Sequence, residues 1–186
     1  IAVAGGTGVV GRHAVEAARA AGHEVVVLSR SSGADVLTGA GLDERMQGAD
    51  AVIDVTNTTT LSAAKAVKFF ETATRNLLAA ESRAGVTHHV ALSIVGIDGI
   101  DASYYAGKLA QERAVAAGSV PFTIARAGQF HEFAGQLLSR MSGPVAVLPK
   151  LLMRPVAARE VGEHLVRVAE GAPAGRASDL VGPRNE

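Results

Sequence analysis

The 186-residue chain contains no cysteine. Disulfide bonds, thiolate nucleophiles and thiolate metal ligands are therefore excluded, because each of them needs a cysteine sulfur. A chain without disulfides is compatible with a reducing compartment, and we expect a cytoplasmic protein.

The chain also has no excess of charge of either sign. Lys and Arg together number 18, and Asp and Glu together also number 18, so the formal net charge is zero. Nucleic-acid binding usually requires a surplus of basic residues, and we therefore expect no nucleic-acid partner. No apolar run approaches the roughly 18 residues that a membrane-spanning helix needs, and we expect no membrane segment. No secretory signal is visible in the sequence.

The length suits one domain, which we assign to residues 1–186. The alternation of elements weakens from about residue 129, and we interpret 129–186 as a small C-terminal extension on the substrate side. Ile1 already lies inside a strand-like run and is not preceded by a methionine. We therefore expect that a longer chain continues beyond both ends of this sequence.

Strand-like and helix-like runs alternate along the chain. This alternation predicts right-handed βαβ units and an α/β fold, a Rossmann-like doubly wound parallel sheet. The long helix is expected to start after Ser62 as its N-cap and to end at Gly85. The predicted strands are 1–5, 23–29, 34–37, 50–55, 88–95 and 121–127, and the predicted helices are 9–21, 42–48, 62–84, 104–118, 130–141 and 157–171.

Three glycines spaced three apart, Gly5, Gly8 and Gly11, follow the first strand and open the first helix. In this context glycines allow a tight turn, a close approach of the backbone to a pyrophosphate, and close packing of helix on strand. The helix N-terminus then offers free N–H groups to phosphate. The alternative is a tight turn that binds no ligand. The cofactor-binding residues predicted from the motif are Gly5, Thr7, Gly8, Val9, Val10 and Gly11.

The motif GGTGVVGRH resembles that of the extended and atypical short-chain dehydrogenases/reductases. More narrowly, the chain is similar to the NmrA-like, NAD(P)H-binding branch of that superfamily, from residue 1 to about 182–184. The resemblance is carried by the opening motif and by four further stretches, VIDVTN, HHVALSIVG, YYAGKLAQE and IARAGQFHEF. It implies dinucleotide binding and a C-terminus that runs longer than this one.

The second strand ends in Ser29-Arg30, where an NAD-binding protein would carry an acid for the ribose hydroxyl. Arg30, assisted by Arg12, could pair with a 2′-phosphate, so NADP(H) is favoured over NAD(H). The alternative is a pair of solvated surface arginines. The resemblance implies that Asp35 and Val36 contact the adenine. Thr56 and Asn57 are expected to face the cofactor from the carboxyl edge of the sheet.

Tyr104 and Lys108 are four residues apart and so share one face of a helix. A lysine close to a phenol stabilises the phenolate and lowers its pKa. The resemblance implies a catalytic set in which Ser93 orients the substrate, Tyr104 is the acid/base and Lys108 anchors the cofactor. Tyr105 lies three residues before Lys108, so either ring could face the pocket. The structural alternative is that the lysine stem simply covers a ring edge.

Residues after the strand TIARA should line the nicotinamide and substrate side, because ligands bind at the carboxyl ends of parallel strands. The alternative for at least one of the two phenylalanines, Phe130 and Phe133, is that it covers the core and does not contact a ligand. His88 and His89 are adjacent on a strand and point to opposite faces, so no metal site is expected. The predicted substrate-pocket residues are Gln129, Phe130, His131 and Phe133.

Together these observations predict an NADP(H)-binding oxidoreductase that transfers hydride to a small carbonyl or quinone-like molecule. One alternative is a non-catalytic redox sensor that binds NAD(P)(H) and passes its state to a protein partner, as some NmrA-like proteins do. Another is an enzyme of the nucleotide-sugar epimerase or dehydratase type, which shares the glycine spacing and the Tyr-x-x-x-Lys pattern. The oligomeric state stays open.

Overall fold

The six strands form one parallel sheet in the order β2-β1-β3-β4-β5-β6. The structure is a computed structural model and describes residues 1–132 and 154–184. The strands are β1 (Ala2–Ala4), β2 (Val26–Leu28), β3 (Ala51–Asp54), β4 (His88–Ile94), β5 (Phe122–Ala127) and β6 (Gly175–Arg176). The helices are α1 (Val9–Ala20), α2 (Leu42–Met46), α3 (Ala63–Ala84), α4 (Ser103–Ala116) and α5 (Ala158–Glu170), with a short 3-10 helix at Arg30–Ser32. The predicted α/β Rossmann-like fold is confirmed.

Both faces of the sheet are covered by helices, as the continuous apolar strands predict. Val3, Ile53 and Val90 point to the face covered by α1 and α5. Ala2, Val52 and their neighbours point to the face covered by α2 and α3, and α4 packs beside α3. The core therefore consists of two apolar layers separated by the sheet.

The long helix α3 has the boundaries that its capping signals predict. The Ser62 hydroxyl accepts a hydrogen bond from the backbone N–H of Lys65 at 3.4 Å, and Gly85 ends the helix in the left-handed conformation at φ 74°. A side-chain oxygen before the first turn and a glycine after the last one are strong local signals.

The predicted third strand at 34–37 is wrong, because this segment forms a turn. The Asp35 carboxylate accepts the N–H of Leu37 at 2.8 Å, and the Gly39 N–H donates to the Asp35 carbonyl at 2.8 Å. An aspartate side chain that bonds its own local backbone competes with strand pairing. The sheet accordingly ends at β2 on this side.

The C-terminal part returns to the carboxyl end of the sheet. Phe130 pairs with Val156 as an isolated parallel bridge, and the Glu132 carboxylate accepts the N–H of Ala158 at 3.1 Å, at the start of α5. A carboxylate is favourable there because of the partial positive charge of a helix N-terminus. The predicted helix at 130–141 falls largely outside the described residues.

None of the helices within 1–132 and 154–184 combines the length and the apolar character that crossing a membrane requires.

Candidate functional site

The glycine turn between β1 and α1 is too crowded for side chains. Gly5 has φ +80°, and a Cβ atom there would lie 2.7 Å from the carbonyl oxygen of Val55. A Cβ atom on Gly11 would collide with the carbonyl oxygen of Gly5, and the Gly8 N–H donates to that same oxygen at 2.9 Å. The turn therefore brings the helix start directly onto the ends of β1 and β3, as a phosphate-binding turn requires.

Helix α1 starts with its backbone donors uncapped. Gly8 is the N-cap residue, no side chain caps the helix, and its first turn holds no acidic residue. Thr7 and Gly8 are exposed, whereas Val10 is buried in the core. The first N–H groups of a helix have no partner inside the helix, and its dipole favours an anion at this end. This end of α1 can therefore receive a phosphate group.

Ser29 and Arg30 follow β2 but have different tasks. The Ser29 hydroxyl accepts the N–H of Ser32 and caps the 3-10 helix, so it is committed to the chain itself. Arg30 is exposed, and no ion pair of its guanidinium occurs among the residues that the structure describes. A guanidinium in this position is available to an anionic ligand.

The loop with Asp35 and Val36 is fixed by a residue that sequence reasoning missed. The side-chain amide of Asn76, on α3, donates to the carbonyl oxygens of Val36 at 2.9 Å and of Leu37 at 3.0 Å. One oxygen of Asp35 is engaged by the N–H of Leu37. The available signal was an asparagine inside a predicted helix, since Asn is unfavourable there unless its amide bonds elsewhere.

The end of β3 carries the predicted residues Thr56 and Asn57 directly beside the glycine turn. The buried carboxylate of Asp54 accepts the Thr56 N–H at 2.9 Å. The buried hydroxyl of Thr56 has no partner within the described part of the chain. Buried hydroxyls normally have one, so an unpaired hydroxyl at a predicted ligand edge fits a site that a ligand completes.

Tyr104 reaches the same edge. Its hydroxyl donates to the Asn57 side-chain oxygen at 2.9 Å, and its ring meets Phe70 edge-on with the centroids 5.6 Å apart. Tyr105 is the more exposed of the two rings, with 38% of its surface accessible. Of the two tyrosines, Tyr104 is therefore the one whose hydroxyl is directed to the predicted cofactor edge.

The pKa of Tyr104 is raised, which corrects the expectation that a neighbouring lysine lowers it. Burial is the largest cause, and the nearby Tyr105 and Asp54 raise the pKa further. Lys108 does not counteract this, because its ammonium group is directed elsewhere: it donates to the carbonyl oxygen of Leu92 at 2.6 Å. Tyr104 is therefore a neutral phenol over the physiological pH range.

Lys108 is buried, with 3% of its surface accessible. Besides the Leu92 carbonyl, its ammonium group donates to the side-chain oxygen of Gln111 and lies 4.7 Å from the centre of the Phe70 ring. Burial lowers its pKa to about 8, although Asp54 and Glu112 act in the opposite direction. The i, i+4 spacing thus put Tyr104 and Lys108 on one side of α4 but did not bring their polar ends together.

Ser93 is buried near the end of β4, and its hydroxyl has no partner among the described residues. No hydrogen bond within the described ranges joins Ser93, Tyr104 and Lys108 to one another. The structure therefore places all three near one end of the sheet without assembling them into a hydrogen-bonded set.

Arg126 was missed by sequence reasoning and forms the densest ionic contact near this edge. It is buried at the end of β5 and donates two hydrogen bonds to Asp98, at 2.6 and 2.8 Å, and two to Glu112, at 2.8 and 2.7 Å. These partners raise the pKa of Arg126, with Asp98 the largest cause. These four hydrogen bonds connect β5 to α4 and to the loop that precedes α4. An arginine inside an otherwise apolar strand was its signal.

The predicted substrate-side residues lie between β5 and the returning chain. The Gln129 carbonyl accepts the N–H of Val156 at 2.9 Å, and Phe130 packs against the core beneath. His131 is exposed. Phe133 lies outside the described residues. Phe130 therefore covers the core at least in part, which was the alternative to a role in the substrate pocket.

The two adjacent histidines point to opposite faces, as expected. The His88 ring bonds the Thr123 hydroxyl at 2.8 Å, and the His89 ring bonds both oxygens of Glu81, on α3, at 2.8 and 3.0 Å. Over residues 1–132 and 154–184, no three His, Asp or Glu side chains gather closely enough to hold a metal ion.

Comparison with protein families identifies the class of this chain. Residues 5–143 match a family model described as NAD(P)H-binding. The chain belongs to this NAD(P)H-binding family. The predicted membership of an NAD(P)H-binding family is thereby confirmed. The comparison with curated protein sequences found no match.

Solved structures of the same fold cover the whole chain. Triphenylmethane reductase of Citrobacter sp., solved with NADP(H), has a TM-score of 0.75 at 15% identity, over 100% of this chain and 70% of its own. UDP-N-acetylglucosamine 4-epimerase of Bacillus cereus has a TM-score of 0.77 at 18% identity, over 100% and 78%. A dTDP-glucose 4,6-dehydratase of Streptomyces venezuelae, a double mutant solved with NAD, has a TM-score of 0.78 at 20% identity, over 100% and 76%. These TM-scores establish a shared fold.

The residues present fit the dinucleotide that the family binds. The glycine turn leaves no room for side chains at Gly5 and Gly11, the start of α1 is uncapped, and the buried hydroxyl of Thr56 lacks a partner in the described chain. The glycines thus bring the start of α1 onto the strand ends, and the uncapped helix and the Thr56 hydroxyl leave hydrogen-bonding groups for a ligand at this sheet edge.

Proposed function

We propose that this protein binds NADP(H) in preference to NAD(H) and transfers hydride to a small carbonyl or quinone-like substrate. The contact that carries the proposal is the hydrogen bond of Tyr104 to Asn57, 2.9 Å long. It holds a neutral proton donor at the end of β3, beside the glycine turn. A proton donor next to a dinucleotide site is what carbonyl reduction needs from the protein.

The nicotinamide, when bound, supplies the hydride that reaches the carbonyl carbon. Tyr104 donates its proton to the carbonyl oxygen, so the carbonyl gains one hydride and one proton and becomes a hydroxyl group. In the structure the single hydroxyl proton of Tyr104 is donated to the Asn57 side-chain oxygen, so the hydroxyl turns from Asn57 to the substrate oxygen before it donates. The hydroxyl of Ser93, which has no partner among the described residues, is a donor for the substrate oxygen. Solvent restores the tyrosine proton after the product leaves.

The protonation state of Tyr104 favours one direction of this reaction. Burial raises the pKa of its phenol, so the hydroxyl keeps its proton at neutral pH. A protonated tyrosine serves the reduction of a carbonyl, whereas oxidation of an alcohol needs a phenolate as base. This protonation state supports the proposal of a reductase that consumes NADPH.

The preference for NADP(H) rests on Arg30. It is exposed directly after β2, where related dinucleotide sites carry an acid for NAD or an arginine for the 2′-phosphate of NADP. Charge-assisted hydrogen bonds of a guanidinium to phosphate are stronger than those between neutral groups. The 2′-phosphate is the group that distinguishes NADP(H) from NAD(H).

A second function, a redox sensor that binds the dinucleotide without turnover, is favoured by the position of Lys108. Its ammonium group bonds Leu92 and Gln111, and the described structure contains no hydrogen bond from it to Tyr104. A third candidate, a nucleotide-sugar enzyme, draws its support from the solved structures of an epimerase and a dehydratase with this fold.

Cofactor binding is tested by thermal unfolding with NADPH, with NADH and without ligand, because a ligand that binds the folded state raises the apparent stability. We expect a larger rise in Tm with NADPH than with NADH, and Arg30→Ala should narrow this difference. The variant Arg19→Ala, at an exposed position in the last turn of α1, is the control and should leave the difference unchanged. Absence of any shift with either nucleotide would overturn the cofactor assignment.

Turnover is tested by following NADPH oxidation with a panel of aldehydes, ketones and quinones. Tyr104→Phe should abolish oxidation while the NADPH-induced rise in Tm remains. Tight NADPH binding without oxidation by any member of the panel would favour the sensor. A UDP-sugar that stabilises the protein more than NADPH alone would favour the nucleotide-sugar enzyme.

The proposal includes a small molecule as substrate and a cytoplasmic location. The cytoplasmic location is supported by the lack of cysteine, because a chain that forms no disulfides does not need an oxidising compartment.

A further inference from the structure

Arg126 joins the loop that precedes α4 to the sheet. It lies near the end of β5 with 3% of its surface accessible, and its guanidinium donates two hydrogen bonds to Asp98, in the loop 95–102, at 2.6 and 2.8 Å. It also donates two to Glu112, on α4, at 2.8 and 2.7 Å. One buried cation therefore holds a carboxylate from the loop and another from the helix that follows it.

Asp98 contributes more to the position of the loop than to the neutralisation of charge. Glu112 is largely buried and by itself balances the charge of Arg126. The Asp98 side chain is 69% exposed, and an ion pair with an exposed carboxylate adds little to the free energy of unfolding. A pair with two parallel hydrogen bonds does, however, fix the distance and the orientation of the two planar groups. The contact therefore fixes one point of the loop relative to β5.

The segment around Asp98 needs such a fixed point because glycines flank it. Gly96 and Gly99 have positive φ angles of 77° and 79°, and glycine leaves the backbone more conformational freedom than any other residue. Between these glycines, the side chain of Ile97 is buried and that of Asp98 bonds Arg126. Removal of the carboxylate would leave Ile97 as the side-chain anchor of this segment.

The loop enters α4 through a residue in an unfavourable conformation. Among the residues that the structure describes, Ser103 is the only one other than glycine with a positive φ, of 52°. Such a conformation persists where the surrounding structure imposes it. Tyr104 follows directly, and its hydroxyl bonds the Asn57 side chain at 2.9 Å. Ser103 is therefore held from both sides, by the anchored loop before it and by Tyr104 after it.

We propose that Asp98 is a positioning residue, which holds the loop before α4 against Arg126 and thereby keeps the Tyr104 hydroxyl at the candidate site. Asp98 acts through the loop and does not itself contact the substrate or the dinucleotide. The inference rests on the proposed function in one respect, namely that Tyr104 donates the proton. The placement of Tyr104 can be measured without turnover, so the positioning role and the proposed function can fail separately.

The placement of Tyr104 is measured by tyrosine fluorescence. The chain contains two tyrosines and no tryptophan, so the emission comes from Tyr104 once Tyr105 is replaced by phenylalanine. The experiment compares quenching by acrylamide in Tyr105→Phe with quenching in the same protein carrying Asp98→Ala or Asp98→Asn. We expect Asp98→Ala to increase the quenching of Tyr104. Asp98→Asn should increase it to a smaller extent, because asparagine keeps one acceptor oxygen for Arg126.

The consequence for the reaction is measured in the protein with both tyrosines. The substrate is the member of the aldehyde, ketone and quinone panel that the wild type reduces fastest. Asp98→Ala should lower kcat by about tenfold to a hundredfold, since a small displacement of a reacting group slows the chemical step by this order. The Kd of NADPH should stay at the wild-type value, and the Tm should change by less than about 4 °C. A general loss of structure would instead lower the Tm and the affinity together.

Two other exposed aspartates provide matched controls. Asp101→Ala removes the same charge from the same loop, and no hydrogen bond of the Asp101 carboxylate occurs within the described ranges. Asp43→Ala removes an exposed carboxylate that bonds Arg83 at 2.6 Å, between α2 and α3. Both variants should keep the wild-type quenching and kcat.

The outcomes separate the two proposals. The positioning role is overturned if either the quenching of Tyr104 or the kcat in Asp98→Ala equals that of the controls. If Asp98→Ala does not fold, the same comparison is made with Asp98→Asn. Absence of turnover by the wild type overturns the proposed function, and the quenching then decides by itself whether Asp98 holds Tyr104 in place.

Discussion

Replacing Glu81 with glutamine should reverse the way in which the stability of this protein depends on pH. Glu81 and His89 are both fully buried, and the His89 ring lies 2.8 and 3.0 Å from the two carboxylate oxygens. Burial by itself lowers the pKa of His89, but the charge and hydrogen bonds of Glu81, together with the charge of Asp54, outweigh burial and raise it above 6.5. The folded protein therefore holds a proton that the unfolded chain releases.

The sign of the pH dependence follows from this difference. With the pKa of His89 raised in the folded state, its stabilising contribution is complete below pH 6.5 and is lost as the pH rises through the folded-state pKa. The slope is at most one proton, or about 1.4 kcal/mol per pH unit. In Glu81→Gln only the weaker effect of the Asp54 charge opposes burial, so burial dominates and the pKa of His89 falls below 6.5. Its contribution to stability is then present above pH 6.5 and is lost as the pH falls.

The size of the effect is largest where His89 is charged in the wild type. Removing one partner of a buried ion pair costs about 3–5 kcal/mol, and the lower value applies here because a glutamine oxygen still accepts from the His89 ring. At pH 6 we therefore expect a loss of about 3 kcal/mol in the free energy of unfolding. For a chain of this length such a loss corresponds to a fall of about 6–12 °C in Tm.

The assay is urea unfolding of both proteins at half-unit steps from pH 5.5 to 8.5. Glu170→Gln is the matched control, because the His23–Glu170 pair joins the same residue types at 2.9 Å while both side chains are partly exposed. Exposed pairs contribute about 0–1 kcal/mol, so this variant should follow the wild type. A difference between wild type and Glu81→Gln that stays constant across the whole pH range would refute the buried charged pair.

Three further substitutions test the packing of the site. Gly11→Ala places a Cβ atom against the carbonyl oxygen of Gly5. It should destabilise the protein by about 1–3 kcal/mol and weaken NADPH binding at least tenfold in a titration. An unchanged affinity would contradict the assignment of this turn to phosphate binding. Gly107→Ala would bring a Cβ atom within 2.7 Å of α3, so the Tm should fall by a similar free energy while the Kd of NADPH in the folded protein stays the same. Asn76→Ala removes two hydrogen bonds from the loop that is predicted to contact the adenine. It should raise the Kd of NADPH by about tenfold with a small change in Tm, whereas an unchanged Kd would show that the loop does not contact the cofactor.

Most of the order of strands and helices could be predicted from the sequence, because its signals are local, but the two-residue strand β6 was not predicted. Ser62 and Gly85 bound α3 through hydrogen bonds and backbone angles within a few residues of each helix end. The glycine turn is likewise specified by three residues in a fixed context of strand and helix. The opposite directions of His88 and His89 follow from the alternation of side chains along a strand.

The predicted third strand shows where local signals conflict. The segment at 34–37 carries apolar residues that suit a strand, but Asp35 bonds its own backbone and closes a turn. Propensity could not decide between these outcomes, because strand formation also depends on whether the partner strand is available for pairing.

The arrangement of the candidate site was decided by tertiary structure. The spacing of Tyr104 and Lys108 placed both on one side of α4, yet the direction of the lysine depends on Leu92 and on Gln111, and the orientation of Gln111 depends on Asp54, 57 residues away in the chain. Burial and the nearby charges of Tyr105 and Asp54 raise the pKa of Tyr104, and both causes act through space. Sequence determines which chemical groups a helix presents and at what spacing. Which charges surround those groups, and whether water reaches them, is settled only when distant segments pack together.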